Sequence, residues 1–178
     1  MKQRIIITLG LAALALVTAT AALASTLTTT ATVTGGAGGL SLTMPANPSI
    51  SDTLDGTDQT VSYAPVLGVV DPRGSGAGWN LQISATTFSD GAGHSLAAGQ
   101  VSSAAQACQA GSTCTAATSS GITYPLTITT TAAKMFNAAL NTGLGKLNVT
   151  PTIAVAIPGN AYAGTYTSTV TLAATTGP

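Results

Sequence analysis

The chain has 178 residues, 45% of them hydrophobic and only 6% charged, and its five Lys and Arg balance five acidic residues that are all Asp. Without a basic patch it has no electrostatic handle for nucleic acid or anionic lipid. With no Glu and scattered Asp it shows no paired carboxylates of the kind a glycosidase needs.

Lys2 and Arg4 open the chain with positive charge, and Ile5 to Leu16 follow as an apolar run too short and too Ala-rich for a stable membrane span. Ala22-Leu23-Ala24 then supplies the small-x-small site that a signal peptidase cuts. Residues 1–24 read as a secretory signal peptide, the alternative being a retained N-terminal anchor. No Cys stands at the cleavage point for lipidation, no later segment is apolar enough to span a membrane, and no sorting signal is recognised at the C-terminus. Residues 25–178 are expected to form a single domain. This part holds 29 of the 32 Thr and a net charge of −2, from Arg73, Lys134 and Lys146 against the five Asp. Such a composition favours strands with a polar, uncharged outer face. Mucin-like disorder shares the composition but not the alternation that follows.

Leu27, Thr29, Ala31 and Val33 alternate with Thr28, Thr30, Thr32 and Thr34, predicting a first strand that the glycines of 35–39 break. Leu40, Leu42 and Met44 continue one face up to Pro45, and residues 47–57 form a polar turn region. Val61 to Val70 is a second apolar segment with Pro65 at an edge or bend. After the glycine-rich connection 71–78 comes the clearest strand, with Trp79, Leu81, Ile83 and Ala85 on one face and Asn80, Gln82 and Ser84 on the other. Residues 88–120 read as a long surface loop with one short strand at most. Cys108 and Cys114 within it are expected to form a local disulfide, since a metal site would need more ligands than the lone His94 can add. Tyr124, Leu126 and Ile128 alternate with Thr, and residues 132–141 suggest a single helical turn with Phe136 and Leu140 inward. Leu147, Val149, Ile153, Val155 and Ile157 share a face across Pro151. Tyr166, Val170 and Leu172 share the face of a last strand. The prediction is all-β: an immunoglobulin-like sandwich of about 7–9 strands, with a long disulfide-bearing loop.

Two stretches resemble the WxL-domain family of extracellular proteins from Gram-positive-type bacteria. Val69-Val70-Asp71-Pro72-Arg73-Gly74-Ser75-Gly76-Ala77-Gly78-Trp79-Asn80-Leu81 is similar to the family's strand, Asp-x-Arg-Gly turn and proximal Trp-x-Leu motif. Residues 155–172 are similar to its Pro-rich turn, which leads through Gly-x-Tyr into the last strand. The departure is distal: Leu172 and Ala174 stand where a second Trp-x-Leu would fall. The resemblance implies a surface protein held non-covalently to peptidoglycan or another wall polymer, with Asp71, Arg73, Trp79, Asn80, Leu81 and Tyr166 as the motif residues.

Each candidate has a plainer reading. Trp79 is either a carbohydrate platform or, from its alternation with Leu81 and Ile83, core packing. Asp71 and Arg73 either meet a ligand or pair across their turn. Asp90-Gly91-Ala92-Gly93 is a turn rather than a calcium loop, for want of oxygen ligands. His94 lies beside Ser95 with no evident third partner, so no catalytic residue, metal or cofactor is expected. The Thr rows suit an ordered-water surface or, more simply, a solvated sheet. Two functions follow: wall association, or a filament subunit in which residues 25–34 complete a neighbour's sheet.

Overall fold

The computed structural model describes residues 29–178; the expected leader 1–24 and residues 25–28 lie outside the described residues. Residues 29–32 carry no regular structure, while residues 33–178 form a unit that holds every described strand. In chain order these are β1 (Ser41–Thr43), β2 (Gln59–Tyr63), β3 (Leu67–Asp71), β4 (Trp79–Ala85), β5 (Phe88–Ser89), β6 (Ser95–Leu96), β7 (Gln100–Cys108), β8 (Leu126–Thr127), β9 (Ala133–Ala138), β10 (Gly145–Ile157) and β11 (Val170–Thr176). Three of the eleven have only two residues, so the longer eight match the expected number.

All pairings are antiparallel and make three sheets in a sandwich-like arrangement. The largest runs β1-β3-β10-β7-β8 with β2 also on β10, the second runs β11-β4-β9, and β5 pairs β6. The spine is β10. Its first half pairs β3 and its second half pairs β2, while β7 lies along its other side. Tyr63 faces Ile153 and Leu67 faces Val149, so β2 and β3 keep one register across a gap at 64–66. That register sets Pro65 opposite Pro151. Neither proline has an N–H to give, so the ladder lapses there without a slip.

The core lies between the two larger sheets. Leu67, Val69, Val101, Leu147, Val149 and Ile153 line one side, and Trp79, Leu81, Ile83, Met135 and Phe136 the other, all buried. Full burial of such side chains contributes about 1.5–3 kcal/mol each, and the alternation in β4 and β10 is the sequence image of that face.

Four expectations are corrected. Residues 29–34 form no strand, and Val33 is 92% exposed. Small Ala and Thr leave little apolar surface to dock there; Leu27 and Thr28 lie outside the described residues. The 88–120 loop contains the nine-residue β7, paired along β10 from Gln100 to Cys108. It was hidden because Ser, Ala and Gln fill it and only Val101 is fully buried, so the partner strand specifies it rather than its own apolarity. Residues 132–141 hold β9, not a helical turn, and Leu140 is exposed. Leu81 faces Phe136 while Gln82 faces Lys134, leaving Met135 as the extra residue of a bulge. The bulge turns Met135 and Phe136 inward together and breaks the two-residue period. Finally, Tyr166 precedes β11 rather than lying in it.

The disulfide between Cys108 and Cys114 is present, closing a short loop just after β7.

Candidate functional site

The proximal motif folds into a latch between the two large sheets. Asp71 ends β3 almost fully buried, and Arg73 returns to it two residues later. Arg73 Nε donates to Asp71 Oδ1 at 2.7 Å and Nη2 to Oδ2 at 2.9 Å, a two-pronged ion pair. The remaining guanidinium donors reach the Gly78 carbonyl at 3.0 Å and the Thr176 hydroxyl at 2.7 Å. Since Asp71 belongs to one sheet and Thr176 to the other, one side chain ties the layers together. The hydrogen bonds from Arg73 hold the Asp71 carboxyl below its ordinary range despite the burial that opposes ionisation. Gly78 keeps φ at 70° with its Cβ position 2.5 Å from the Ala138 carbonyl, so only glycine fits the step into β4.

Trp79 follows and is wholly buried. Its indole N–H donates to the Gly143 carbonyl at 2.9 Å, and its ring lies 6.0 Å from that of Phe136, tilted by 34°. Leu81 is equally buried, and Asn80 donates to the Gly177 carbonyl at 2.8 Å. Asp71, Arg73, Trp79, Asn80 and Leu81 therefore meet at one end of β4, in packing and latching roles. Leu172 and Ala174, half-buried on β11, face Ile83 and Leu81 across the ladder. The distal positions thus complete the same packed layer.

Tyr166 is not with them. Ala85 pairs Val170, so Tyr166 lies beyond the far end of β4, and that end is itself about 20 Å along the strand from Trp79. It belongs to a surface cleft of about 220 Å³ that also takes in His94, Asn160 and Tyr162. The His94 ring stacks on Tyr162 with centroids 3.8 Å apart and planes 20° from parallel. Asp90 Oδ2 meets His94 Nδ1, and Asp90 Oδ1 accepts from the backbone N–H groups of Ala92 and His94 at 2.8 and 3.0 Å. These bonds, chiefly that of His94, hold the Asp90 carboxyl below its ordinary value. They also make 90–94 a self-satisfied turn. The Tyr166 hydroxyl donates to the Tyr162 carbonyl at 2.9 Å; desolvation, then the nearby Asp90 charge, pushes its phenol up.

Sequence reasoning missed this cleft. It found no partner for His94 because Tyr162 reaches it only through the fold and the bond from Asp90 depends on how the turn 90–94 closes. The one local signal was the Asp90-to-His94 spacing within a glycine-rich turn. Among the described residues no group of three or more His, Cys, Asp or Glu is placed to hold a metal ion.

A family model described as WxL domain, surface cell wall-binding, matches residues 29–178. The chain belongs to the WxL domain family. The match takes in all eleven strands, the latch and the cleft, so this WxL domain is a cell-wall-binding surface domain and its place is extracellular. No curated protein and no solved structure matches the chain. In this WxL domain the tryptophan that names the family is core.

Proposed function

We propose that the protein is exported through residues 1–24 and acts, without catalysis, as a module held non-covalently to peptidoglycan or a related wall polymer. The observation that carries this reading is the family match along residues 29–178. Charge supports a particular mode of attachment: with a net −2 after the leader, an anionic wall polymer is not captured electrostatically, so hydrogen bonds and ring stacking do the binding. Asp71 is committed to Arg73 and Asp90 to His94, which argues against either as an acid or base awaiting a substrate. Co-sedimentation with purified peptidoglycan, beside a wall-free tube, tests the proposal. Pelleting only with the wall, and release in denaturant, is expected; protein soluble in both tubes would reject it.

A second reading is a filament subunit built by strand exchange, in which the protein's partner is a further copy of itself. One observation favours it: residues 29–34 alternate like a strand yet form none, and Val33 is exposed. The edge strand β11 offers a place for such a segment on a neighbouring copy. Pelleting in the wall-free tube, with fibres by electron microscopy that vanish when residues 25–34 are deleted, would support it. Fibre-free, monomeric protein would reject it.

A further inference from the structure

The residues that name the family are buried, so wall contact has to be made elsewhere on the surface. We propose that the cleft between residues 90–96 and 158–166 binds one uncharged sugar ring of the wall glycan, with Tyr162 as its stacking platform. This rests on the wall-binding reading and gives that reading a site.

Three observations converge on the cleft. First, Tyr162 is 65% exposed, whereas Trp79 and Phe136 are buried and the other three tyrosines at least half-buried. Of the seven Trp, Tyr and Phe side chains it is the one left mostly in water, with a ring face available for stacking. With His94 stacked on one face, that exposure belongs to the other face and the rim.

Second, the platform is built before any ligand arrives. His94 is fixed by Asp90 from below, and Tyr162 is anchored through its carbonyl by Tyr166. Ser89 and Thr167 clamp the two loops by a pair of backbone hydrogen bonds of 2.9 Å. At the loop's start, Gly159 donates to Asp58 at 2.9 Å and sits so close to the Gly56 backbone that a Cβ would fall 2.6 Å from its carbonyl oxygen. A ligand meeting such a site pays little ordering entropy.

Third, the chemistry fits a neutral sugar. The Tyr162 face matches the C–H face of a pyranose, while the Asn160 amide and Ser95 hydroxyl lining the cleft can bond ring substituents. Among the described residues no carboxylate, Lys or Arg lines the cleft, and Asp90 and Asp58 beside it accept from His94 and from Gly159, so neither a cation nor an anion is called for. Without a carboxylate among its lining residues the cleft lacks the pair that glycoside hydrolysis needs, leaving binding rather than cleavage. At about 220 Å³ the space is below the ~300–1,000 Å³ of enclosed small-molecule sites, which suits one ring rather than several.

The test is a sedimentation isotherm of the leader-free protein on purified peptidoglycan, with Tyr162→Ala and Tyr162→Phe beside the wild type, repeated with the β-1,4-linked tetramer of N-acetylglucosamine as competitor. Tyr162→Ala is expected to weaken binding by about tenfold or more with an unchanged melting temperature, as for a central aromatic anchor. Tyr162→Phe should keep affinity within about threefold, since the ring remains, and the tetramer should displace the wild type. Wild-type affinity in Tyr162→Ala would overturn the cleft while leaving wall binding intact. Failure of the tetramer to compete would overturn the sugar assignment. No pelleting of the wild type would overturn both the cleft and the reading it rests on.

Discussion

Replacing Trp79 by Phe separates a packing tryptophan from a ligand platform. In the folded protein the indole N–H satisfies the buried Gly143 carbonyl, and the ring system packs beside Phe136. Phe removes the donor, leaving a buried acceptor unpaired at a cost of about 1–3 kcal/mol. The lost ring volume adds about 1 kcal/mol, well short of the ~3–5 kcal/mol of a full truncation to Ala. The total of about 2–4 kcal/mol is a large part of a typical stability of ~5–15 kcal/mol, but leaves the fold populated. At roughly 2–4 °C per kcal/mol for a domain of this size, the melting temperature should drop by about 5–15 °C. Calorimetry is the assay of choice, because Trp79 is the only tryptophan and its fluorescence disappears with it. Peptidoglycan binding of the folded variant, measured well below its melting temperature, should equal that of the wild type. An unchanged melting temperature together with lost wall binding would refute the packing role.

Further expectations follow from the same geometry. Gly143→Ala places a Cβ 2.5 Å from that of Ala138 and 2.7 Å from the Trp79 nitrogen at a φ of 71°, so backbone and overpacking costs together should destabilise by about 2–5 kcal/mol in denaturant titration. Asp71 has a lowered folded pKa, so its stabilisation is complete above about pH 4 and is lost as pH falls through the folded value. Thermal melts should therefore fall steeply below pH 4, and Asp71→Asn, weaker at neutral pH, should lose less on acidification; parallel curves for the two proteins would contradict this. The shifts of Asp55 and Asp90 run in the same direction and leave some slope in the variant. Replacing Cys108 and Cys114 by Ser opens a short loop and should cost about 2 kcal/mol, with circular dichroism unchanged because β7 is held by β10 rather than by the disulfide.

How much of this was legible in the chain differs from element to element. The strands β4 and β10 could be read directly, because large apolar residues at every second position have only one way to be buried together. β7 could not, since a strand of Ser, Ala and Gln has no apolar signature and exists because β10 offers it a ladder. β9 misled through its bulge, which sets Met135 and Phe136 side by side in the core and imitates helical spacing. Pairing of Asp71 with Arg73 across their turn is one of the two readings the sequence allows; that Asp71 is buried and that Arg73 reaches Thr176 depends on a strand about a hundred residues later.

By itself, then, the sequence determined the all-β class, the local disulfide and membership of the WxL domain family, because each depends on residues close together or on the order of motifs. Tertiary structure alone decided which motif residues face water. Alternation states that Trp79, Leu81 and Ile83 share a face, but not what that face meets, and the second sheet buries it. Nor could local sequence join His94 to Tyr162, 68 positions on. Their stacking arises where the Ser89–Thr167 bridge brings two loops together, and such a contact is set by strand pairing rather than by either loop's own residues.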